Sequence, residues 1–526
     1  MERSMSEPDA LSERSKLAYS IGTVLNDLTL PMWFSYSLVF YHRVVNFTTA
    51  SAGYLFLIGQ IVGAVSIIFI GLVSDRTRIG LFHYGRRKTW HLIGVICTLC
   101  SFPFCFNLCV GCKDSDLRVQ FIYYTIFIII SQFGISCSQV VHLAMINELT
   151  HQDSERVALY AYRFAWAFIS NIFVYGMASI LLGFPSNNDK NNITSADAPI
   201  FRTLAFIVVG FGFICMIIFH VGLKESQQPA EETQYHLQLS SSERLKRMTW
   251  KNFLCEKEFY QCTFIWTCAR VILNVTRIFI PLCIIDTILT LNRVFVAIAP
   301  LCICIIGVLA SFPMRALNKR LGRNLTSIVG FGFILVSVIL FWFIFDLKSN
   351  IQIEIAIIST CVLLGIGIST IIICSSALAS DLIGSNTECV AFVYAIMSFT
   401  DKIADGVVIA IIQQFNPCTL SSTRICALYY RYIVTFISSG LAILSIIMIL
   451  SIWKTNIGGN RYEIIQEGQN DTDPKTEVAN ENKYSFLLKI LINNYYVVHL
   501  LGNDLGFDAQ IAGYLTSSVS SKTAGK

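Results

Sequence analysis

Charge is what this sequence has least of. Only 14% of its 526 residues are Asp, Glu, Lys or Arg, where a soluble domain carries about a quarter. With 54% hydrophobic residues, this excludes an ordinary water-soluble core-and-surface protein. The net charge of +5 is too small to call for nucleic acid as a partner. Chemistry-bearing motifs are missing as well. There is no phosphate loop, no His-Glu-x-x-His and no nucleophile elbow, so the chain reads as no enzyme and as needing no cofactor. The 18 cysteines lie mostly inside apolar runs and show no zinc-type clustering, so no metal site is expected. The polar residues 1–17 and the long apolar stretch behind them lack a clean small-residue cleavage site, which argues against a cleaved signal peptide.

What the sequence does have is apolar runs of about 20 residues, the length that crosses a bilayer core. Examples are 55–73, 121–141, 201–221 and 433–453. In lipid every backbone polar group must be paired internally, so these runs predict helices. A first set spans 18–41, 51–74, 89–109, 119–146, 157–183 and 201–223. A second spans 259–285, 294–314, 325–346, 352–380, 389–415 and 427–453. The expected organisation is a cytosolic N-terminus (1–17), a six-helix bundle (18–223), a polar central cytosolic loop (224–256), a second bundle (257–453) and a tail (454–526). The tail is polar and disordered at first, then atypically apolar, and its 495–515 stretch resembles 35–55.

Lys and Arg concentrate in the loops on one side: Arg76, Arg78, Arg86, Arg87 and Lys88 in one half, Arg315, Lys319, Arg320 and Arg323 in the other. The positive-inside rule then places both termini in the cytosol. The sequons at Asn46 and Asn192 face the opposite side, and Asn192 in the longer loop is the better glycosylation candidate. Cys109 with Cys112, and Cys418 with Cys426, fall in or near loops. Either pair suits a disulfide if that face is oxidising, and free thiols suit it as well.

Two internal repeats connect the halves. Asp75-Arg76 with Gly85-Arg86-Arg87-Lys88 follows the second span; Asn318-Lys319-Arg320-Leu321-Gly322-Arg323 follows the eighth. Glu148 and Glu155, beside Arg156, match Asp381 and Glu388 with the same spacing of seven. Six helices plus six with matching loops is the layout of transporters whose halves rock around a central site. Short loops of this charge can lock one face shut through charge-assisted hydrogen bonds, although basic loops that only set topology would look the same. Asn318 replaces the acid in the second half, so its lock should be the weaker.

Ionisable residues inside membrane spans are costly and point to function. Asn26 and Asp27 precede Pro31, which can kink the first span. Arg163 lies in the fifth span, Arg270 and Arg277 in the seventh, and Asp401, Lys402 and Asp405 in the eleventh. Lys402 is three residues from Asp405 and can pair with it. A buried Lys with two Asp suits proton or Na⁺ coupling; a structural ion pair is the alternative. Arg277 reads as structural. Gln132, Gln139 and His142 share the fourth span and could line the same cavity or simply pack.

The stretch from Asp75-Arg76 to Gly85-Arg86-Arg87-Lys88, the Asn147-Glu148-Leu149-Thr150 to Glu155-Arg156 segment, and Tyr162-Arg163-Phe164 resemble the major facilitator superfamily, specifically its glycoside–pentoside–hexuronide cation symporters. The resemblance implies an all-α membrane protein of twelve transmembrane helices in two six-helix bundles. It also implies that Asp27, Arg163 and Lys402 line the central site. The acidic pair that binds Na⁺ in that branch is missing from the second span, where Gln60 is the polar candidate, so proton coupling is expected over Na⁺. The blocks Asp381-Leu382-Ile383-Gly384, Met397-Ser398-Phe399 to Asp401-Lys402, and Asn416-Pro417-Cys418 are similar to an animal branch of the superfamily. That branch is associated with lysosomes and melanosomes, where it brings cysteine into the organelle and supports pigment formation. By implication this chain is a monomeric secondary active transporter, importing cysteine from cytosol into lysosomes or related organelles. Alternatives are a sugar or lysolipid symporter of the same fold, a non-transporting scaffold or sensor, and a plasma-membrane address. Tyr462-Glu463-Ile464-Ile465 fits the Tyr-x-x-apolar signal that sorting adaptors read.

Overall fold

The computed structural model describes residues 12–77, 84–112, 115–149, 153–183, 193–223, 254, 256–287, 292–347, 349–383, 390–418 and 423–453. The central loop at 224–253, the tail with Tyr462 and the sequon residue Asn192 lie outside them.

Fifteen α-helices are described. In the first half they are α1 (Glu13–Ile21), α2 (Val24–Val39), α3 (Thr49–Arg76), α4 (Arg86–Cys105), α5 (Leu117–Leu149), α6 (Asp153–Gly183) and α7 (Ala198–Gly222). In the second they are α8 (Lys257–Thr287), α9 (Phe295–Ser311), α10 (Met314–Leu321), α11 (Arg323–Ile344), α12 (Asn350–Ile383), α13 (Val390–Gln414), α14 (Thr423–Tyr432) and α15 (Ser438–Ile452). Joining α1 to α2, and α14 to α15, and setting aside the eight-residue α10 as a loop helix, gives the twelve spans of a two-bundle membrane fold. The first span begins earlier than expected, at Glu13, because Ser12 caps it by accepting from the Ser15 amide. Pro31 lies inside α2. The breaks in that span fall instead at Gly22–Thr23 and at a π-helical turn over Phe40–Val44.

The Gly-Arg repeats have a backbone cause. Gly85 (φ 110°) and Gly322 (φ 78°) each precede the first residue of a new helix. A side chain is rarely tolerated at such positive φ, so the glycine sets a sharp re-entry in both halves. The second loop also departs from expectation, because Met314–Leu321 is helical; its spacing puts Met314 and Leu317 against the bundle and Arg320 outside.

Helices within each half pack closely through glycine. A Cβ on Gly134 of α5 would stand 2.7 Å from the Gly94 carbonyl of α4, and one on Gly367 of α12 would stand 3.0 Å from the Gly330 carbonyl of α11. Small residues at crossing points are how membrane helices gain contact without a hydrophobic driving force between them. The halves meet through α2 with α8, α3 with α13, and α6 with α9. Burial identifies the central helices: 83% of the apolar window of α8 is buried, against 28% for the α14–α15 span.

Candidate functional site

The second half presents one organised polar cluster. Trp266, Arg270 and Asn274 recur every four residues on α8 and so share a face; Asp401 and Asp405 do the same on α13. Trp266 Nε1 donates to Asp401 Oδ2 at 2.8 Å, and Asn274 Nδ2 donates to Asp405 Oδ2 at 2.6 Å. The Arg270 guanidinium lies 4.5 Å from the Trp266 ring centroid. Lys402 interacts electrostatically with both Asp401 and Asp405. Two basic and two acidic side chains therefore lie together, as ionisable groups at membrane depth do when they pair with one another.

Lys402 also reaches the other half. Its Nζ lies 3.6 Å from the point where a Cβ on Gly63 of α3 would stand; Gln132 Oε1 and Ser136 Oγ of α5 approach the same point at 3.6 and 3.5 Å. A larger residue at 63 would press on all three polar groups. Gln60, one turn earlier, packs against Gly406 of α13. Several atoms of this cluster are buried without hydrogen-bond partners: Asp405 Oδ1, Arg270 Nε, Gln132 Nε2 and Gln60 Oε1. An unpaired buried polar atom costs about 1–3 kcal/mol, so these atoms hold unused hydrogen-bonding capacity.

The first half holds a smaller group. Thr23 Oγ1 donates to Asp27 Oδ2 at 2.7 Å, and Arg163 of α6 acts electrostatically on the Asp27 carboxylate. Asn26, next in sequence, points elsewhere: its Oδ1 accepts from Ser138 Oγ of α5 at 2.9 Å. It is a tie between helices. His142 likewise packs, with Nε2 2.8 Å from the Tyr19 carbonyl and its ring stacked 4.2 Å from Tyr19. Arg277, expected to be structural, lies within electrostatic reach of Tyr175 on α6 and Cys304 on α9, on the face shared by the halves.

The polar contacts that join the halves gather at the end away from the N-terminus, here called the distal end. Arg43 of the π-turn pairs with Asp286 at the end of α8, its Nε donating at 2.7 Å. Arg293 Nη1 donates to Asp197 Oδ1 at 2.9 Å, both side chains being at most 4% exposed. Arg293 Nε donates to the Leu182 carbonyl at 2.9 Å, and Tyr54 donates to Gln414 at 2.8 Å. These four charges were missed from sequence. Their signal was available as isolated charges at span ends on the side poor in Lys and Arg. Both cysteine pairs are disulfides at this end, with Cα separations of 5.3 Å for Cys109–Cys112 and 5.0 Å for Cys418–Cys426. Asn46 is exposed with φ 66°, and its Nδ2 donates to Ser195 Oγ at 2.8 Å.

Part of the gating motifs lies among the described residues. Arg87 Nη1 donates to Ser74 Oγ at 2.8 Å, and Lys88 Nζ donates to the Leu223 and His220 carbonyls at 2.7 and 3.1 Å. Arg323 pairs with Asp381. Each of these contacts, among the described residues, ties helices inside one half. Arg320 is exposed. The side chains of Asp75, Arg76, Arg86, Glu148 and Arg156 lie outside the described residues.

Comparison with known proteins fits this architecture. The profile described as MFS/sugar transport protein matches residues 17–415. Mouse "Major facilitator superfamily domain-containing protein 12" is 35% identical over 464 residues, covering 86% of this chain and 96% of the relative. The "Putative glycoside/cation symporter YagG" of Escherichia coli is 24% identical over 182 residues, or 34% of this chain and 38% of the relative. The inward-open xylose transporter XylE from E. coli superposes with TM-score 0.59 at 12% identity, covering 86% of this chain and 98% of its own; that likeness speaks to fold alone. The profile match over most of the chain, and a relative 35% identical over nearly its whole length, show that this protein belongs to the MFS/sugar transport protein family of multi-pass membrane transporters.

Proposed function

We propose that this chain is a secondary active transporter that carries cysteine from the cytosol into lysosomes or lysosome-related organelles by alternating access. The observation that carries the reading is the pair of buried unpartnered atoms of opposite charge, Asp405 Oδ1 and Arg270 Nε. A zwitterionic amino acid offers an ammonium to the first and a carboxylate to the second, with Lys402 beside both. Gln132 and Gln60 supply neutral polar contacts from the other half, so bound cargo bridges the bundles. Asp27 and Arg163 form a second charge pair that can trade partners as the halves rock. Lys402 Nζ occupies the position between α3 and α5, which favours proton over Na⁺ coupling. A lipid bilayer, cargo and adaptors at Tyr462 complete the expected partners; the working unit is a monomer, glycosylated at Asn192 or Asn46, with both termini cytosolic.

Uptake of radiolabelled cysteine into lysosomes isolated from cells with and without the protein tests this reading, with cystine and a hexose as parallel cargoes. Protein-dependent cysteine uptake that Lys402→Ala abolishes is the expected result. Uptake of the hexose alone would transfer the site to a sugar. No protein-dependent uptake of any cargo, with the protein present in those membranes, would favour a scaffold or sensor.

A further inference from the structure

The Cys418–Cys426 disulfide sits against the distal lock. One oxygen of the Asp286 carboxylate and the sulfurs of Cys418 and Cys426 all lie within 4.8 Å of one another. A chain of buried contacts leads from the disulfide to the lock. The Cys418 amide donates to Asn416 Oδ1 at 3.0 Å, and Asn416 Nδ2 donates to the Tyr430 hydroxyl at 3.3 Å. Tyr430 donates to Asp286 Oδ2 at 2.6 Å, while Asp286 Oδ1 holds Arg43 of the other half. The disulfide ties the end of α13 to the start of α14, the helix that carries Tyr430. It therefore holds in place the hydroxyl that orients the carboxylate.

We propose that Cys418–Cys426 is a thiol-exchange site and a latch on the distal gate: intact, it keeps Asp286 aligned with Arg43; reduced by a small thiol, it releases that alignment and favours opening. The chemistry balances. A thiolate attacks one sulfur, forming a mixed disulfide and expelling the other cysteine as thiolate. A second thiolate attacks the mixed disulfide, releasing the oxidised small-molecule disulfide. Two small thiols are oxidised, one protein disulfide is reduced, and the two thiol protons end on Cys418 Sγ and Cys426 Sγ. The new S–H groups are donors where the disulfide had none, and they stand beside the carboxylate that Arg43 and Tyr430 now occupy. Cys418 and Cys426 are 7% and 4% exposed, so the reagent reaches them only when the distal end opens. Gate opening and reduction must then favour each other reciprocally. Cysteine is itself such a thiol, so under the transport reading above the cargo would act on its own gate; the latch does not depend on that.

The test uses the full-length protein in lipid nanodiscs, without cargo flux. A Cys109→Ser/Cys112→Ser background leaves one disulfide. Dithiothreitol is the reductant, freed thiols are counted by peptide mass spectrometry, and amide hydrogen exchange is followed in peptides over 40–47 and 284–296. Reduction is expected to raise exchange at least fivefold in both segments, one in each half. Arg43→Gln is expected to speed reduction of Cys418–Cys426 at least fivefold. Exchange that rises only within 416–428, or a reduction rate indifferent to Arg43→Gln, would overturn the latch. Because wild-type residues at 418 and 426 are used throughout, misfolding caused by a substitution at those two positions cannot obscure the answer, and hydrogen exchange of the oxidised Cys109→Ser/Cys112→Ser protein matched to wild type shows that the background is folded. Cysteine uptake could fail while the latch holds, and the latch could fail while uptake stands.

Discussion

Asp197→Asn isolates the distal lock. The amide preserves the side chain's shape and its acceptor for the Thr194 amide but removes the charge facing Arg293. With both partners at most 4% exposed, the closed state would then hold a buried guanidinium that has lost the Asp197 carboxylate. Removing one member of a buried ion pair costs about 3–5 kcal/mol; the amide oxygen still accepts one bond, so the lower end, about 3 kcal/mol, applies. When the distal end opens, Arg293 meets water, so the cost falls on the closed state alone. At about 1.4 kcal/mol per factor of ten, the open fraction should rise about 100-fold. The readout is labelling by a membrane-impermeant maleimide of a cysteine placed at Ser35. Ser35 is 1% exposed and lies 2.9 Å from the hydroxyl of Tyr175 on α6, which is itself within electrostatic reach of Arg277 on α8. The labelled residue is identified by mass spectrometry. Adding Arg293→Gln should recover most of the protection, since the neutral pair removes the buried charge that lost its carboxylate. A labelling rate that changes less than twofold, or that stays high in the double variant, would refute the reasoning.

Other expectations follow from the same geometry. Asp405→Asn removes the charge that would face the cargo ammonium while keeping an acceptor for Asn274; cargo flux should fall at least tenfold, with thermal stability unchanged or raised, as seen by paired flux and unfolding measurements. Asn26→Ala removes the α2–α5 hydrogen bond while the Ser138 hydroxyl keeps the Gly134 carbonyl as its acceptor; it should cost about 0.5–1.5 kcal/mol of stability, lowering the melting temperature with proportionate loss of folded protein and no change in cargo affinity. Gly94→Ala forces a methyl to within 2.7 Å of the Gly134 carbonyl. The α4–α5 crossing should open and lose about 1–3 kcal/mol, read as a lower midpoint in thermal unfolding.

Much of the fold was legible because the bilayer imposes one rule, helices of fixed length with every backbone group paired. That rule located the spans and the two-half organisation. It could not locate the Gly22–Thr23 break, because no local signal there outranks Pro31. The charge cluster of α13 was legible as well, since Asp401, Lys402 and Asp405 are conspicuous in an apolar run. Its partners Trp266 and Asn274 were not, being neutral residues whose role comes from facing α13. Asn26 and Asp27 are adjacent in sequence yet diverge by about 100° on the helix, so sequence grouped what the fold separates. The repeated basic motifs suggested a lock at the cytosolic end, most of whose side chains lie outside the described residues. Arg43, Asp286, Arg293 and Asp197 meet only through tertiary contact between segments 96 to 243 residues apart.

The most direct test of the account is cysteine flux by the purified chain in proteoliposomes, comparing wild type with Lys402→Ala at equal reconstitution. Saturable uptake of cysteine by wild type, lost in the variant and indifferent to replacing Na⁺ with K⁺, is the predicted result. Equal uptake by both proteins, or none by either while the fold is intact, would contradict it.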